Sequence, residues 1–111
     1  MAIIRMHVQE PYHRLILNGK KTVEGRLNKG KFAALCAGDI IELEPERIRF
    51  KVTEKILYPT FIAMIEAEGV ENVIPDKTDA IGAAQVYYDF FSEEEEASFG
   101  IVAIRIRRKD G

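Results

Sequence analysis

Apolar residues in this chain come in short alternating stretches, interrupted by short helical ones at unequal intervals, and this irregular rhythm limits the folds open to it. Ile4, Met6 and Val8 alternate with Ile3, Arg5 and His7, the period-two pattern of a half-buried strand over 2–8. Further strands are predicted over 21–27, 40–44, 47–57 and 99–107. In the fourth, Ile48, Phe50 and Val52 face inward; in the last, Val102, Ile104 and Ile106 oppose Ala103, Arg105 and Arg107. A helix over 10–18 carries Tyr12, Leu15 and Ile16 on one face, begins near Pro11 and stops at Asn18-Gly19. Thr60 can cap a second helix with Phe61, Met64 and Ile65 on its stripe, ending at Gly69. Thr78 or Asp79 can cap a third, with Ile81, Ala84, Tyr88 and Phe91 on one face. Ser92 and Glu95 have capping-box spacing, which makes 93–96 the acidic first turn of a fourth. Segments 28–31 and 37–39 read as turns. This order suits an α+β fold, a small mixed β-barrel with flanking helices, better than a regular βαβ array.

A chain of 111 residues buries roughly two-thirds of its unfolded surface, so one domain over 1–111 with one core is expected. Apolar residues at 47% against 31% charged ones exclude a disordered chain. Cys36, the lone cysteine, follows Phe32, Ala33, Ala34 and Leu35 and is expected to be a small buried hydrophobe in a reducing compartment. Arg5, His7 and Glu10 come too early for a secretory apolar segment, and no apolar run reaches the ~20 residues needed to cross a bilayer. The expected location is cytoplasmic, with no membrane partner.

Net charge is −2, so bulk attraction does not hold this protein to nucleic acid, but the charge is unevenly distributed. Arg14, Lys20, Lys21, Arg26, Lys29 and Lys31 face the single acid Glu24 within their stretch, whereas Asp39, Glu42, Glu44 and Glu46 follow with no base among them. Inside the basic stretch a helix stop runs directly into a strand. Alternation there puts Thr22, Glu24 and Arg26 on one side and Val23 and Leu27, with Gly25 between, on the other. A hydroxyl, a carboxylate and a guanidinium in one row can share a ligand, with Lys20 and Lys21 at the strand mouth adding charge for a phosphate. The plainer reading is an exposed strand with a surface ion pair, worth ~0–1 kcal/mol.

Gly19, Lys21, Glu24 and Arg26 reproduce a G-x-K-x-x-E-x-R pattern, and on this pattern the chain resembles the ASCH domains, a PUA-like family. The likeness extends to Gly38-Asp39-Ile40-Ile41, Tyr58-Pro59-Thr60-Phe61 and the closing Phe99-Gly100-Ile101-Val102-Ala103-Ile104. It implies a small β-barrel with a cleft lined by the strand of Glu24 and Arg26, and recognition of RNA or a modified nucleoside. One subgroup removes the acetyl group from N4-acetylcytidine with a lysine and a threonine on this strand and a distant glutamate. Lys21 falls on that lysine, but Glu24 stands where the threonine would be.

Two functional readings share these residues. In a binding module, Lys20, Lys21 and Lys29 meet phosphate, Arg26 takes a base edge or phosphate, Glu24 accepts from an exocyclic amine, and Tyr58 stacks on a base or packs in the core. Arg105, Arg107, Arg108 and Lys109 either extend the basic track or keep a terminal strand soluble. In an amidohydrolase, Thr22 is the nucleophile with Glu24 as its base, or Glu24 activates water, and Lys21 or Arg26 stabilises the oxyanion. A third reading makes Tyr87, Tyr88, Phe90 and Phe91, more aromatics than one helical stripe needs, a surface for a protein partner. His7, His13 and Cys36 match no zinc spacing, so no metal is expected, and the glycine spacings fit no nucleotide-cofactor fingerprint.

Overall fold

The protein is described by a computed structural model covering residues 1–109. In chain order its elements are β1 (Ile3–Met6), α1 (Tyr12–Leu17), β2 (Val23–Leu27), α2 (Gly30–Ala34), β3 (Ile40–Leu43), β4 (Ile48–Tyr58), α3 (Phe61–Glu68), α4 (Val70–Val73), α5 (Ala80–Tyr88), α6 (Glu93–Phe99) and β5 (Ile101–Arg108). The strands make one mixed sheet ordered β1-β3-β4-β5-β2, with β1 parallel to β3 and the other pairs antiparallel. Curled into a half-barrel with helices against it, this is the α+β architecture expected from the sequence.

β5 explains why the closing segment is so apolar. Ile101 and Ala103 pack with the helices, whereas Val102, Ile104 and Ile106 fill the barrel interior with Met6, Leu43, Phe50 and Val52. A strand covered on both faces has no solvent side on which to place polar residues. It also divides the buried residues into two clusters, one on each side, where one core was expected.

Side-chain caps set the starts of three of the six helices among the described residues. The side chains of Thr60, Asp79 and Ser92 accept from the backbone N–H groups of Ala63, Gly82 and Glu95, and Ser92 with Glu95 completes the capping box. Buried Glu96 on α6 accepts from the Phe61 N–H at 2.7 Å and the Tyr88 hydroxyl at 2.8 Å, joining α6 to the start of α3 and the end of α5.

Three expectations are corrected. Residues 28–31 are more than a turn: Gly30, at φ 57°, opens α2. Cys36 lies beyond α2 and is exposed. On α5 the buried residues are Ala83, Ala84 and Tyr87, while Ile81 is 70% exposed. The small alanines face the core and Tyr87 stacks on Phe61 with ring centroids 4.5 Å apart, which rotates the buried face from the predicted one.

The two edge strands, β1 and β2, leave the sheet unclosed. Across this seam Arg26 Nη2 donates to the His7 carbonyl at 3.2 Å. Among the described residues no helix is long and apolar enough to cross a membrane.

Candidate functional site

A cleft of about 330 Å³ opens at the seam, floored by β2 and bordered by His7 and Val8 on one side and by the end of α5 on the other. Its position follows from the turn after α1. Gly19, at φ 84°, reverses the chain, and the Lys21 N–H donates to the Leu15 carbonyl at 2.9 Å, so Lys21 enters the interior before the β2 ladder starts at Val23.

Lys21 is 2% exposed. Its ammonium donates to the carbonyls of Val23, at 2.8 Å, and Val73, and stands 3.6 Å from Glu24 Oε1. Glu24 is also buried; Oε1 accepts from the Gly25 N–H at 2.9 Å, and Oε2 lies 3.4 Å from Arg26 Nη2. Arg26 is the half-buried outer end of this row, with its guanidinium 5.1 Å above the Phe32 ring. Three groups of alternating charge therefore pass from the core to the cleft rim.

Burial drives the Lys21 pKa down, against the opposing attraction of Glu24. Burial also disfavours ionised Glu24, but the charges of Lys21 and Arg26, with the Gly25 N–H, outweigh it and hold the carboxyl below its ordinary 4.5. A depressed carboxylate contributes stability that is complete above the unfolded value and disappears as pH falls through the folded one. Urea denaturation from about pH 6 to about pH 3 should thus show wild type losing stability more steeply than Glu24→Gln. Parallel curves would assign the acid sensitivity to other depressed carboxylates, such as Glu68.

Gly25 has a steric role. A Cβ there would lie 2.6 Å from Met64 Cε and 3.1 Å from the Tyr87 hydroxyl, so the missing side chain lets both approach the strand. Tyr87 is 6% exposed, and its hydroxyl proton finds no acceptor among the described residues. Buried polar groups without partners are rare in folded proteins, and this one borders the cleft. Burial and Glu24 raise its pKa well above 10.0; on the facing wall, burial and Asp76 push Tyr12 to about 12. Both hydroxyls remain proton donors at neutral pH. Val86, Phe90 and Phe91 supply an apolar wall.

The structure brings Lys21, Glu24 and Arg26 together and separates the other sequence candidates from them. Thr22 lines a different depression with Glu68 and Arg105, because the strand parity that would align it with Glu24 begins only at Val23. Lys20 is exposed, and Lys29, also exposed, lies 4.0 Å from Glu95 and over the Phe99 ring. Tyr58 donates to Glu68, a carboxylate also held by Arg105 at 2.8 Å, on the Thr22 side of the sheet. Lys21 was expected at the strand mouth facing phosphate; its ammonium points inward at carbonyls. Of the aromatic group, Tyr87, Phe90 and Phe91 line the cleft, and Tyr88 turns to Glu96. His7 and Tyr12 are cleft features without a signal in the sequence, whereas Tyr87, read there as part of a partner surface, belongs to the cleft, and the excess of aromatics at 87–91 was the signal for it.

The model of a family described as the ASCH domain matches residues 6–109. The structure is similar to the crystal structure of hypothetical protein PH0355, with a TM-score of 0.91 and 39% identity over 96% of this chain and 99% of that one. It is also similar to the solution NMR structure of protein PF0455 from Pyrococcus furiosus, with a TM-score of 0.83 and 36% identity over 98% and 99% of the two chains. These likenesses agree with a PUA-like half-barrel. No curated protein matches the chain.

Proposed function

The chain belongs to the ASCH domain family, and from that premise we propose that its seam cleft binds one nucleobase, presented by a modified nucleoside or by an unstacked position in RNA. The observation that carries this reading is the Tyr87 hydroxyl, buried without a partner beside ionised Glu24 in an aromatic-walled cleft. A base has apolar faces and an edge of donors and acceptors. Tyr12, Phe90 and Phe91 suit the faces, the Tyr87 hydroxyl can donate to a ring nitrogen or carbonyl, and Glu24 can accept from an exocyclic amine. Arg26, at the rim, is available to a base edge or to the attached phosphate.

Binding fits this chemistry better than hydrolysis. The Lys21 ammonium is committed to two carbonyls and Glu24, and Glu24 is paired with two cations, a poor state for a general base. Thr22 lies elsewhere. The test is calorimetric titration with cytidine and N4-acetylcytidine, with chromatography of the mixtures. Saturable binding that weakens about tenfold in Arg26→Ala, a loss of about 1.4 kcal/mol, is the expected result. Release of cytidine from N4-acetylcytidine by wild type would replace binding with amidohydrolysis; no binding of a wider nucleoside panel would remove the cleft assignment.

A further inference from the structure

A second arrangement of charge lies on the outer face of β1, β3 and β4. Arg5, Glu42 and Arg49 form one cross-strand row, since Arg5 is the register partner of Glu42 and Glu42 that of Arg49. Glu42 is 3% exposed. Arg49 Nε lies 3.1 Å from its Oε2, while Arg47 and Arg5 approach Oε1 at 3.4 and 3.7 Å. Arg47 holds a left-handed backbone, φ 62°, unusual for a side-chain-bearing residue, in the turn that brings it to this carboxylate.

One arginine would neutralise one carboxylate. Three are present, each approaching by Nε, and among the described residues none of their Nη nitrogens makes a hydrogen bond. With Lys31, four cations share this face with Glu42 and Glu44, a local surplus of positive charge on a protein whose net charge is −2. The three guanidinium groups are exposed around this one carboxylate, and their planar forks match the oxygens of phosphate esters.

This face is continuous with the cleft by two routes. Lys31 donates to the Arg5 carbonyl at 2.9 Å and stands 5.4 Å from the centre of the Phe32 ring, the ring that also carries Arg26 at the cleft rim. His7 borders the cleft on one side and, with Arg5 and Arg47, a shallow depression on the other.

We propose that the Arg5–Arg47–Arg49 face binds the phosphodiester backbone of a single RNA strand, one base of which occupies the cleft. This inference rests on the cleft reading and makes its ligand a strand. A duplex would keep its bases stacked and out of reach, whereas a single strand can place one base in the cleft and its neighbouring phosphates on the arginines.

The test compares wild type with Arg5→Gln/Arg47→Gln, which retains Arg49 beside Glu42 and whose folding is checked by circular dichroism. A fluorescent single-stranded RNA of mixed sequence is titrated at several salt concentrations, and a free nucleoside in parallel. The variant should bind RNA about tenfold more weakly, with a salt slope shallower by about 1.4 for two lost contacts at ~0.7 each, and should keep wild-type nucleoside affinity. Equal RNA affinity and slope in both proteins would overturn the phosphate face, leaving the cleft to stand on its nucleoside binding. Wild type that binds nucleoside but no RNA would overturn it as well. Loss of nucleoside binding by the folded variant would also overturn it, because the two arginines would then act on the cleft itself.

Discussion

Replacing Lys21 with methionine should lower stability by about 3–5 kcal/mol, the cost of leaving one partner of a buried ion pair uncompensated. Lys21 is 2% exposed, and its ammonium is the nearest cation to Glu24 Oε1 and also satisfies the carbonyls of Val23 and Val73. Methionine keeps the length of the stem and removes the charge and all three donors. Arg26 would remain beside Glu24, but at the rim and partly solvated, so it cannot replace Lys21. Adding Glu24→Met should restore much of the loss, since an apolar pair of similar volume avoids the desolvation that the ion pair must overcome. Urea denaturation of both single variants and the double measures this coupling. A cost for Lys21→Met below about 1 kcal/mol would mean that Lys21 does not hold the buried carboxylate in place.

Tyr87→Phe should do the opposite to stability and still damage function. The hydroxyl is buried without a partner, a state that costs roughly 1–3 kcal/mol, so its removal should leave stability unchanged or raise it by about 1 kcal/mol. The ring would keep its stacking on Phe61. Nucleoside affinity should fall about tenfold, because the donor that meets the base edge is gone. Thermal denaturation and calorimetry on one preparation read both effects. Clear destabilisation, or unaltered affinity, would show that the hydroxyl serves the fold and not a ligand.

What could be read from the sequence depended on how local each determinant is. Caps at Thr60, Asp79 and Ser92 were legible because a side chain bonding three residues onward is written within one turn. The closing strand β5 was legible because burial on both faces leaves a continuous apolar run, Ile101 to Ile104. Glu24 and Arg26 were correctly placed together, since both lie within the β2 ladder. Thr22 lies one residue before it, where the parity of the strand no longer applies.

Charge was the least legible property. The basic stretch from Arg14 to Lys31 looks concentrated along the chain, yet folding buries Lys21 and moves Lys29 beside Glu95. Conversely, Glu42 sits in a part of the sequence without bases and ends up among three arginines, because β1 and β4 flank β3. Cross-strand neighbours are set by sheet order, which linear charge patterns do not contain. The aromatic excess at 87–91 was visible, but whether it faced a partner or a cleft depended on the glycine opposite Tyr87.

The unclosed seam has a consequence for how such a domain can diversify. Strands joined by a ladder must sit about 4.8 Å apart, a spacing that no substitution tunes. The gap between β1 and β2 obeys no such rule; its width follows from the side chains that bridge it, Arg26 and the cleft walls. Relatives can therefore widen, narrow or re-line this gap through a few substitutions while the β4–β5 pairing remains intact. The same scaffold can acquire new ligands without being rebuilt.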